Sequence, residues 1–103
     1  MHTTHGLDAA ALRKHVLEAI SECLAASGLP MTDVLDGVGL IDRVPGFDSL
    51  MAVEATVTLQ ERLKIKLAGD SIFVEESPGR VPRARTLREV VGVLRIICEE
   101  ASR

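Results

Sequence analysis

Apolar residues recur at helical spacing in three stretches of the chain. The first stretch covers about residues 8–27, and its apolar positions are Leu12, Val16, Ile20 and Leu24, widened by Ala19 and Cys23. Asp8 stands where an N-cap is expected, and Gly28 followed by Pro30 ends the pattern. We therefore predict a first amphipathic helix over these residues.

The second and third stretches predict two more helices. One runs from about residue 49 to residue 64, and its apolar positions are Leu50, Val53, Val57, Leu59 and Leu63. The other begins near Thr86, because Thr86 and Glu89 have the spacing of a capping box. Its apolar positions are Leu87, Val90, Val91, Leu94, Ile97 and Cys98. Three helices of this kind favour an all-α fold.

Two connections separate the predicted helices. Residues 28–47 combine glycines and prolines with spaced apolar residues, which predicts an ordered, partly buried loop rather than an element. Within residues 67–85, the segment 72–74 (Ile-Phe-Val) fits either one short helical turn or a strand-like piece. Together the elements predict a small all-α bundle with three main helices and one short helix. We expect one domain over residues 8–103, preceded by a disordered tail at residues 1–7.

The composition weighs against an enzyme. Hydrophobic residues make up 47% of the 103 residues, but with two Phe and neither Trp nor Tyr the core must be aliphatic, which suits packed helices. A domain of this size has no room for a deep substrate cleft. The histidines, His2, His5 and His15, all lie near the N-terminus, so a buried acid–base site would lack its usual residue.

Charge and cysteine content indicate the kinds of partner. Residues 1–61 carry a net charge of −6 and residues 62–103 a net charge of +3, which favours protein docking on one face over nucleic-acid binding. Cys23 and Cys98 are too few and too far apart in sequence for a metal motif or a disulfide framework. We therefore expect both side chains to be buried thiols, which is consistent with a protein in the reducing cytoplasm. No apolar run approaches the roughly 20 residues that span a bilayer, so we expect no membrane insertion.

The chain contains two Asp-Ser pairs, and the second, Asp70-Ser71, does not support a serine hydrolase. A nucleophilic serine needs a base, and no histidine follows residue 15. The Gly-x-Ser-x-Gly pattern of a nucleophile elbow is also missing. We expect Ser71 to cap a short turn instead.

The first pair, Asp48-Ser49, stands at the start of the second predicted long helix, directly after Gly46 and Phe47. A serine in this position lies beside unpaired backbone N–H groups and the positive end of the helix dipole, an environment that favours a phosphate ester. The alternative is that Asp48 or Ser49 simply caps the helix.

The surrounding residues favour the phosphate ester. Residues 46–54 (Gly-Phe-Asp-Ser-Leu-Met-Ala-Val-Glu) and residues 59–63 (Leu-Gln-Glu-Arg-Leu) closely resemble the phosphopantetheine-attachment region of acyl carrier proteins. The predicted order of elements is also similar, with a helix, a long loop, the serine at the head of the next long helix, and a final helix. The resemblance covers about residues 8–101 and implies a four-helix carrier fold.

The resemblance implies a carrier that is not itself an enzyme. A phosphopantetheinyl transferase would move the 4'-phosphopantetheine arm of coenzyme A onto Ser49, and the arm's thiol would hold acyl groups as thioesters for partner enzymes. Asp48 would help the transferase to recognise the site. The base that this chain lacks would then be supplied by the transferase.

The resemblance also implies a docking surface. Leu50 and Met51 would contact partners beside the arm, while Glu54 and Glu61 would meet basic patches on loading ligases and synthases. On the alternative interpretation Leu50 belongs to the core and the glutamates form a plain solvated face. The acidic residues that bracket the proposed attachment site are Asp36, Asp42, Asp48, Glu54 and Glu61.

Two departures from the family pattern indicate a specialised, free-standing carrier, which we expect to be a monomer. The helix after Ser49 carries few acids and is followed closely by Lys64 and Lys66, and the stretch 67–86 is long and rich in arginine. The cargo of such a carrier would be a polyketide, a modified lipid or an activated amino acid. An aminoacyl or peptidyl carrier, and a helical interaction module without a prosthetic group, remain alternatives. The long stretch and the helix that follows it contain Arg80, Arg83, Arg85 and Arg88. These arginines would form an edge that binds a partner or an anion, or they would belong to a solvated loop with a few salt bridges.

Overall fold

A computed structural model describes residues 8–32, 37–67, 69 and 71–101. The elements in chain order are α1 (Ala9–Ala26), α2 (Leu40–Arg43), α3 (Ser49–Leu63), β1 (Val74–Glu75), β2 (Arg83–Ala84) and α4 (Leu87–Ala101). The chain is therefore mostly helical, with one very small sheet. The predicted tail at residues 1–7, together with Asp36 and Asp70, lies outside the described residues, as does the side chain of Asp42.

The first helix confirms the sequence prediction. Asp8 caps α1, because its Oδ1 accepts a hydrogen bond from the N–H of Ala11 at 2.8 Å. Gly28 follows the helix with a φ of 75°, in the left-handed region that suits glycine. The buried face consists of the predicted positions Leu12, Val16, Ala19, Ile20 and Leu24.

The last helix confirms its prediction as well. The N–H of Thr86 donates to Oε1 of Glu89 at 2.9 Å, and the N–H of Glu89 donates to Oγ1 of Thr86 at 3.2 Å. This reciprocal pair is the predicted capping box. The residues buried along α4 are Leu87, Val90, Val91, Leu94 and Cys98, while Ile97 is half-buried at the edge of the core.

The predicted bounds of the second long helix are correct, but its predicted buried face is partly wrong. Leu59 and Leu63 are buried, whereas Leu50 is 72% exposed and Val57 is 46% exposed. The rest of the buried face consists of Met51, Ala52, Ala55 and Thr56. Two small alanines and a threonine line this face, which lies against neighbouring elements. The helix has apolar residues on two sides, so its own pattern did not determine which side is buried.

Short elements occupy both connections. The loop at residues 28–47, predicted to hold no element, contains the single turn of α2, whose Leu40 is fully buried. In the second connection, β1 and β2 form an antiparallel hairpin in which Val74 pairs with Ala84 and Glu75 with Arg83. The strand-like alternative for residues 72–74 is therefore correct at Val74. The mostly helical structure is compatible with the predicted all-α class, to which the hairpin adds only two strands of two residues each.

Contacts between distant residues join the hairpin and α3 to the core. The rings of Phe47 and Phe73, 1% and 0% exposed, pack edge to face with their centroids 5.1 Å apart. The buried hydroxyl of Thr56 accepts a hydrogen bond from the N–H of Ile72 at 3.1 Å and donates to the carbonyl of Ala52 at 2.8 Å. The hairpin thus begins at a point held against the middle of α3.

Ion pairs hold the far end of α3 against α1. The guanidinium of Arg62 forms ion pairs with Glu18 and with Glu22, the latter at 2.6 Å, and its Nε donates to Nδ1 of His15 at 3.4 Å. Helix α1 packs against both α3 and α4. In the part of the chain that the structure describes, no helix is long and apolar enough to cross a membrane.

Candidate functional site

Ser49 is the first residue of α3, and its side chain is exposed. The cap position belongs to Asp48, whose Oδ1 accepts a hydrogen bond from the N–H of Met51 at 2.9 Å. Of the two candidate caps, Asp48 therefore takes this role. Ser49 lies in the first turn of α3, at the positive end of the helix dipole.

The loop before Ser49 is held tightly in place. Gly46 has a φ of 84°, in the left-handed region that favours glycine, and a Cβ on it would also force the end of the Leu29 side chain to shift. Phe47 then turns its ring into the core against Phe73. Because a buried anchor directly precedes the exposed Asp48 and Ser49, the head of α3 is fixed at the surface.

A groove opens beside Ser49. It has a volume of about 950 Å³ and lies between α2, the start of α3 and the hairpin. Its walls include Ile41, Ser49, Val53, Val74, Arg83 and Arg85. Phe47, Asp48 and Ser49 also line a second, smaller hollow of about 420 Å³. Ser49 therefore stands at the border of both.

The structure separates the four residues predicted to dock partners. Leu50 is 72% exposed next to Ser49, and Glu54 and Glu61 are exposed further along α3. Met51 is only 8% exposed and belongs to the core. Met51 is therefore not available as a surface contact, because its position faces inward on the helix. The Leu50 side chain lies outside the core, contrary to the alternative interpretation.

The arginines of the predicted edge have different surroundings in the structure. Arg83 forms ion pairs with Glu75 and Glu89, each at 2.7 Å. These hydrogen bonds raise the pKa of the Arg83 guanidinium and, together with the N–H of Thr86, hold the pKa of the Glu89 carboxyl at about 2. Arg80 is exposed in the hairpin loop, and Arg88 is exposed on α4. Arg83 is thus part of a salt-bridged cluster that links the hairpin to α4.

Arg85 has different surroundings. Its side chain is half-buried in the wall of the groove, and its Nη1 donates to the carbonyl of Ile72 at 3.0 Å. The partner is a neutral carbonyl, so this contact positions the guanidinium without compensating its charge. The backbone of Arg85 is held too, because its N–H donates to the carbonyl of Phe73 at 2.8 Å.

The structure gives Ser71 the role predicted for it. Its Oγ accepts a hydrogen bond from the N–H of Phe73 at 3.1 Å, which caps the turn before β1. His15 contacts Arg62, near the C-terminal end of α3, whereas Ser49 begins that helix. Burial raises the pKa values of the Cys23 and Cys98 thiols. Within the described ranges, no cluster of His, Cys, Asp and Glu could hold a metal ion.

The groove and the position of Arg85 within it could not be predicted from the sequence. A signal for the hairpin was present, because residues 72–74 (Ile-Phe-Val) are β-forming and are followed by Pro78 and Gly79. No local signal identified which arginines would line the groove beside Ser49. Comparison of the chain with known proteins found no matching family model, no matching curated protein and no matching solved structure.

Proposed function

We propose that this chain is a carrier protein of the acyl carrier type, with 4'-phosphopantetheine attached to Ser49. The observation that carries the proposal is the position of Ser49 within the Asp-Ser-Leu motif. Its exposed side chain lies in the first turn of α3, while Asp48 takes the capping role. The hydroxyl is therefore open to a modifying enzyme in an environment that favours an attached phosphate.

The residues around Ser49 fit the group. The loop that ends at the buried Phe47 presents Ser49 at the surface, and the adjoining groove of about 950 Å³ leaves space beside it. Pockets for small molecules typically have volumes of about 300–1,000 Å³. When bound, the group would supply a thiol that carries an acyl cargo. The chain's own contribution is to hold this group at one defined point of a rigid surface.

The order of the helices along the chain also supports the proposal. Among the described residues, α1, α3 and α4 are long helices, α2 is a single turn between the first two, and Ser49 begins α3. The hairpin stands between α3 and α4, where a short helix was one of two predicted alternatives. We propose that this is a four-helix carrier fold in which a hairpin replaces one helical segment, as a specialised carrier would permit.

The exposed side of α3 is the proposed docking surface for a phosphopantetheinyl transferase, loading ligases and synthases. Leu50 and Val57 present apolar surface, and Glu54 and Glu61 present carboxylates on the same helix. Apolar contact with charged residues around it is the usual composition of a protein interface. The thiols of Cys23, half-buried, and Cys98, buried, fit a reducing cytoplasm.

The proposal is tested by incubating the purified chain with coenzyme A and a broad-specificity phosphopantetheinyl transferase, followed by intact-mass measurement. We expect one phosphopantetheine per chain on the native protein and on Ser71→Ala, and none on Ser49→Ala. Ser71 is the matched control because it also follows an aspartate and lines the same groove. No gain on the native protein, or a gain that persists in Ser49→Ala, would refute the attachment site.

The same experiment separates the carrier from a helical interaction module. Such a module would use the exposed Leu50 and Val57 for binding and would stay unmodified. An aminoacyl or peptidyl carrier would be modified at Ser49 in the same way and would differ only in its cargo. Loading the modified chain with acyl or aminoacyl groups by candidate ligases then distinguishes these two carriers.

A further inference from the structure

The outward side of α4 has no role in the proposed function. Its exposed positions recur at the spacing of one helical face: Arg88, Gly92, Arg95, Ile96 and Glu99. Ile96 is 59% exposed, although it is a large apolar residue. In the described part of the chain, no residue of α4 lines either hollow beside Ser49. This surface is therefore separate from the candidate site.

The packing of the chain does not require glycine at position 92, in the middle of α4. Gly92 is not among the residues with a positive φ, and a Cβ built on it would meet no atom within 4 Å. A glycine inside a helix makes that helix less stable than an alanine would. A glycine does, however, let a second backbone approach closely. Because the space at Gly92 is open among the described residues, that backbone would belong to another molecule.

Three charges of α4 are unfavourably placed for the helix dipole. Arg88 lies in the first turn, while Glu99 and Glu100 lie near the last turn, which contains no basic residue. The dipole favours acids at the start of a helix and bases at its end, so these charges do not stabilise the isolated helix. Within the described residues, none of the three forms an ion pair. They are therefore available to opposite charges on a partner.

A second copy of α4 in antiparallel orientation matches these features together. One exposed isoleucine is ordinary on a protein surface, but Ile96 lies one helical turn after the open Gly92. In an antiparallel pair, Ile96 of each copy can pack over Gly92 of the other. The same register brings Arg88 of each copy beside Glu99 of the other, because Arg88 is four residues before Gly92 and Glu99 is three residues after Ile96.

Charge selects the antiparallel orientation over the parallel one. In a parallel pair, Arg88 would face Arg88 and Glu99 would face Glu99, and these like charges repel. In the antiparallel pair, both ends of the interface join a base to an acid. Glu100 approaches Glu89 of the other copy, but Arg83 compensates that carboxylate at 2.7 Å.

We propose that α4 is an interface between two copies of this chain, paired antiparallel and centred on Gly92 and Ile96. This dimer replaces the monomer expected from the sequence, and it leaves the hollows beside Ser49 uncovered by α4. One pair of 15-residue helices makes a small interface, so the dissociation constant is on the order of 0.1 mM. Added salt weakens the dimer, because it screens the exposed charge pairs.

Sedimentation equilibrium of the purified chain, over concentrations on both sides of this dissociation constant, tests the dimer. Interference optics are suitable because the chain contains neither Trp nor Tyr. We expect the native chain to pass from monomer to dimer, and Ile96→Asp to weaken association at least tenfold. Val57→Asp is the matched control, because Val57 is a branched apolar residue that is 46% exposed on α3. A native chain that stays monomeric, or an equal loss in Val57→Asp, refutes the interface.

Charge reversal tests the antiparallel register at low salt. Arg88→Glu and Glu99→Arg should each associate with themselves at least tenfold more weakly than the native chain, because each brings like charges together. An equimolar mixture of the two variants should associate again, since every contact in the mixed pair joins opposite charges. Both changes place the charge that the helix dipole favours, so loss of folding does not explain a loss of association. A mixture that stays monomeric refutes the register.

Gly92→Ala separates the needs of the fold from those of the interface. Alanine has the higher helix propensity and its methyl group meets open space, so the variant should unfold at a higher urea concentration than the native chain when both are dilute. Its self-association should nevertheless be several-fold weaker, because the methyl group separates the two backbones. Association as strong as that of the native chain would refute the central position of Gly92.

The outcomes separate this inference from the proposed function. Ser49→Ala should associate like the native chain, because Ser49 is not part of the interface. Far-UV circular dichroism shows whether Ile96→Asp keeps its helices, and if it does not, the mixture of charge variants decides. A native chain without self-association leaves the attachment site at Ser49 untouched.

Discussion

The contact between Phe47 and Phe73 connects the loop before Ser49 to the hairpin. Its contribution to stability can be predicted quantitatively. The two rings are the only aromatic side chains in the sequence, and they pack against each other at 5.1 Å with planes at 81°. This edge-to-face geometry places the positive edge of one ring on the negative face of the other. We predict that Phe47→Leu and Phe73→Leu are energetically coupled.

The expected changes in the free energy of unfolding follow from the burial of the two rings and from their edge-to-face geometry. Both rings are almost fully buried, so replacement by alanine would cost about 3–5 kcal/mol and endanger folding in a domain stabilised by about 5–15 kcal/mol. Leucine keeps most of the volume, and each single replacement should cost on the order of 1–1.5 kcal/mol. The aromatic pair adds about 0.5–1.5 kcal/mol beyond burial, and this part is lost in either single variant.

Urea unfolding of the native chain, both single variants and the double variant measures this coupling. Far-UV circular dichroism is the suitable probe, because the chain contains neither Trp nor Tyr. With a urea m-value of about 1–3 kcal/mol/M, a change of 1 kcal/mol moves the midpoint by about 0.3–1 M. We expect the double variant to be less destabilised than the sum of the single variants by about 0.5–1.5 kcal/mol. Additivity within about 0.3 kcal/mol would show that the rings do not interact.

Two further predictions concern neighbouring residues on α3 and the cap of α4. Met51→Ala should lower the free energy of unfolding by about 2–5 kcal/mol, because Met51 is buried. Leu50→Ala should change it by no more than about 0.5 kcal/mol, because Leu50 is exposed. Equal effects of the two variants in urea unfolding would contradict the assigned buried face of α3. Glu89 has its pKa lowered from 4.5 to about 2, chiefly by Arg83, so its stabilising contribution is present above pH 4.5 and is lost as the pH falls towards 2. Thermal unfolding of Glu89→Gln, which keeps an acceptor for the cap, should therefore depend less on pH in that window, and an unchanged dependence would refute the assignment.

Interactions within one helical turn could be predicted from the sequence. The cap of Asp8 on Ala11 and the capping box of Thr86 and Glu89 join residues three positions apart. Such contacts depend on local geometry alone, so residue type and spacing are sufficient to predict them. The buried stripes of α1 and α4 were predictable for a similar reason, because the apolar residues of each helix are concentrated on one side, although Ile96 of α4 lies outside the stripe and is 59% exposed.

The buried face of α3 could not be predicted from the sequence. Leu50 and Val57 on one side and Met51 and Leu59 on another are all apolar, so periodicity allows more than one orientation. The orientation is decided by what lies against the helix. Thr56 receives a hydrogen bond from the N–H of Ile72, sixteen residues away, and this contact requires Thr56 to face inward. A local pattern contains no information about such a partner.

The candidate site also combines local features, which could be predicted from the sequence, with contacts that depend on the tertiary structure. The sequence alone identified Ser49, Asp48 and the head of a helix, because a motif and a cap are local features. Only the tertiary structure brought Arg85 and the hairpin to the groove beside Ser49, and only the tertiary structure placed Arg83 in ion pairs with Glu75 and Glu89. Those contacts join residues whose separation along the chain says little about their separation in space. Packing of α1 against α3 and α4, and of Phe47 against Phe73, decides which of them meet.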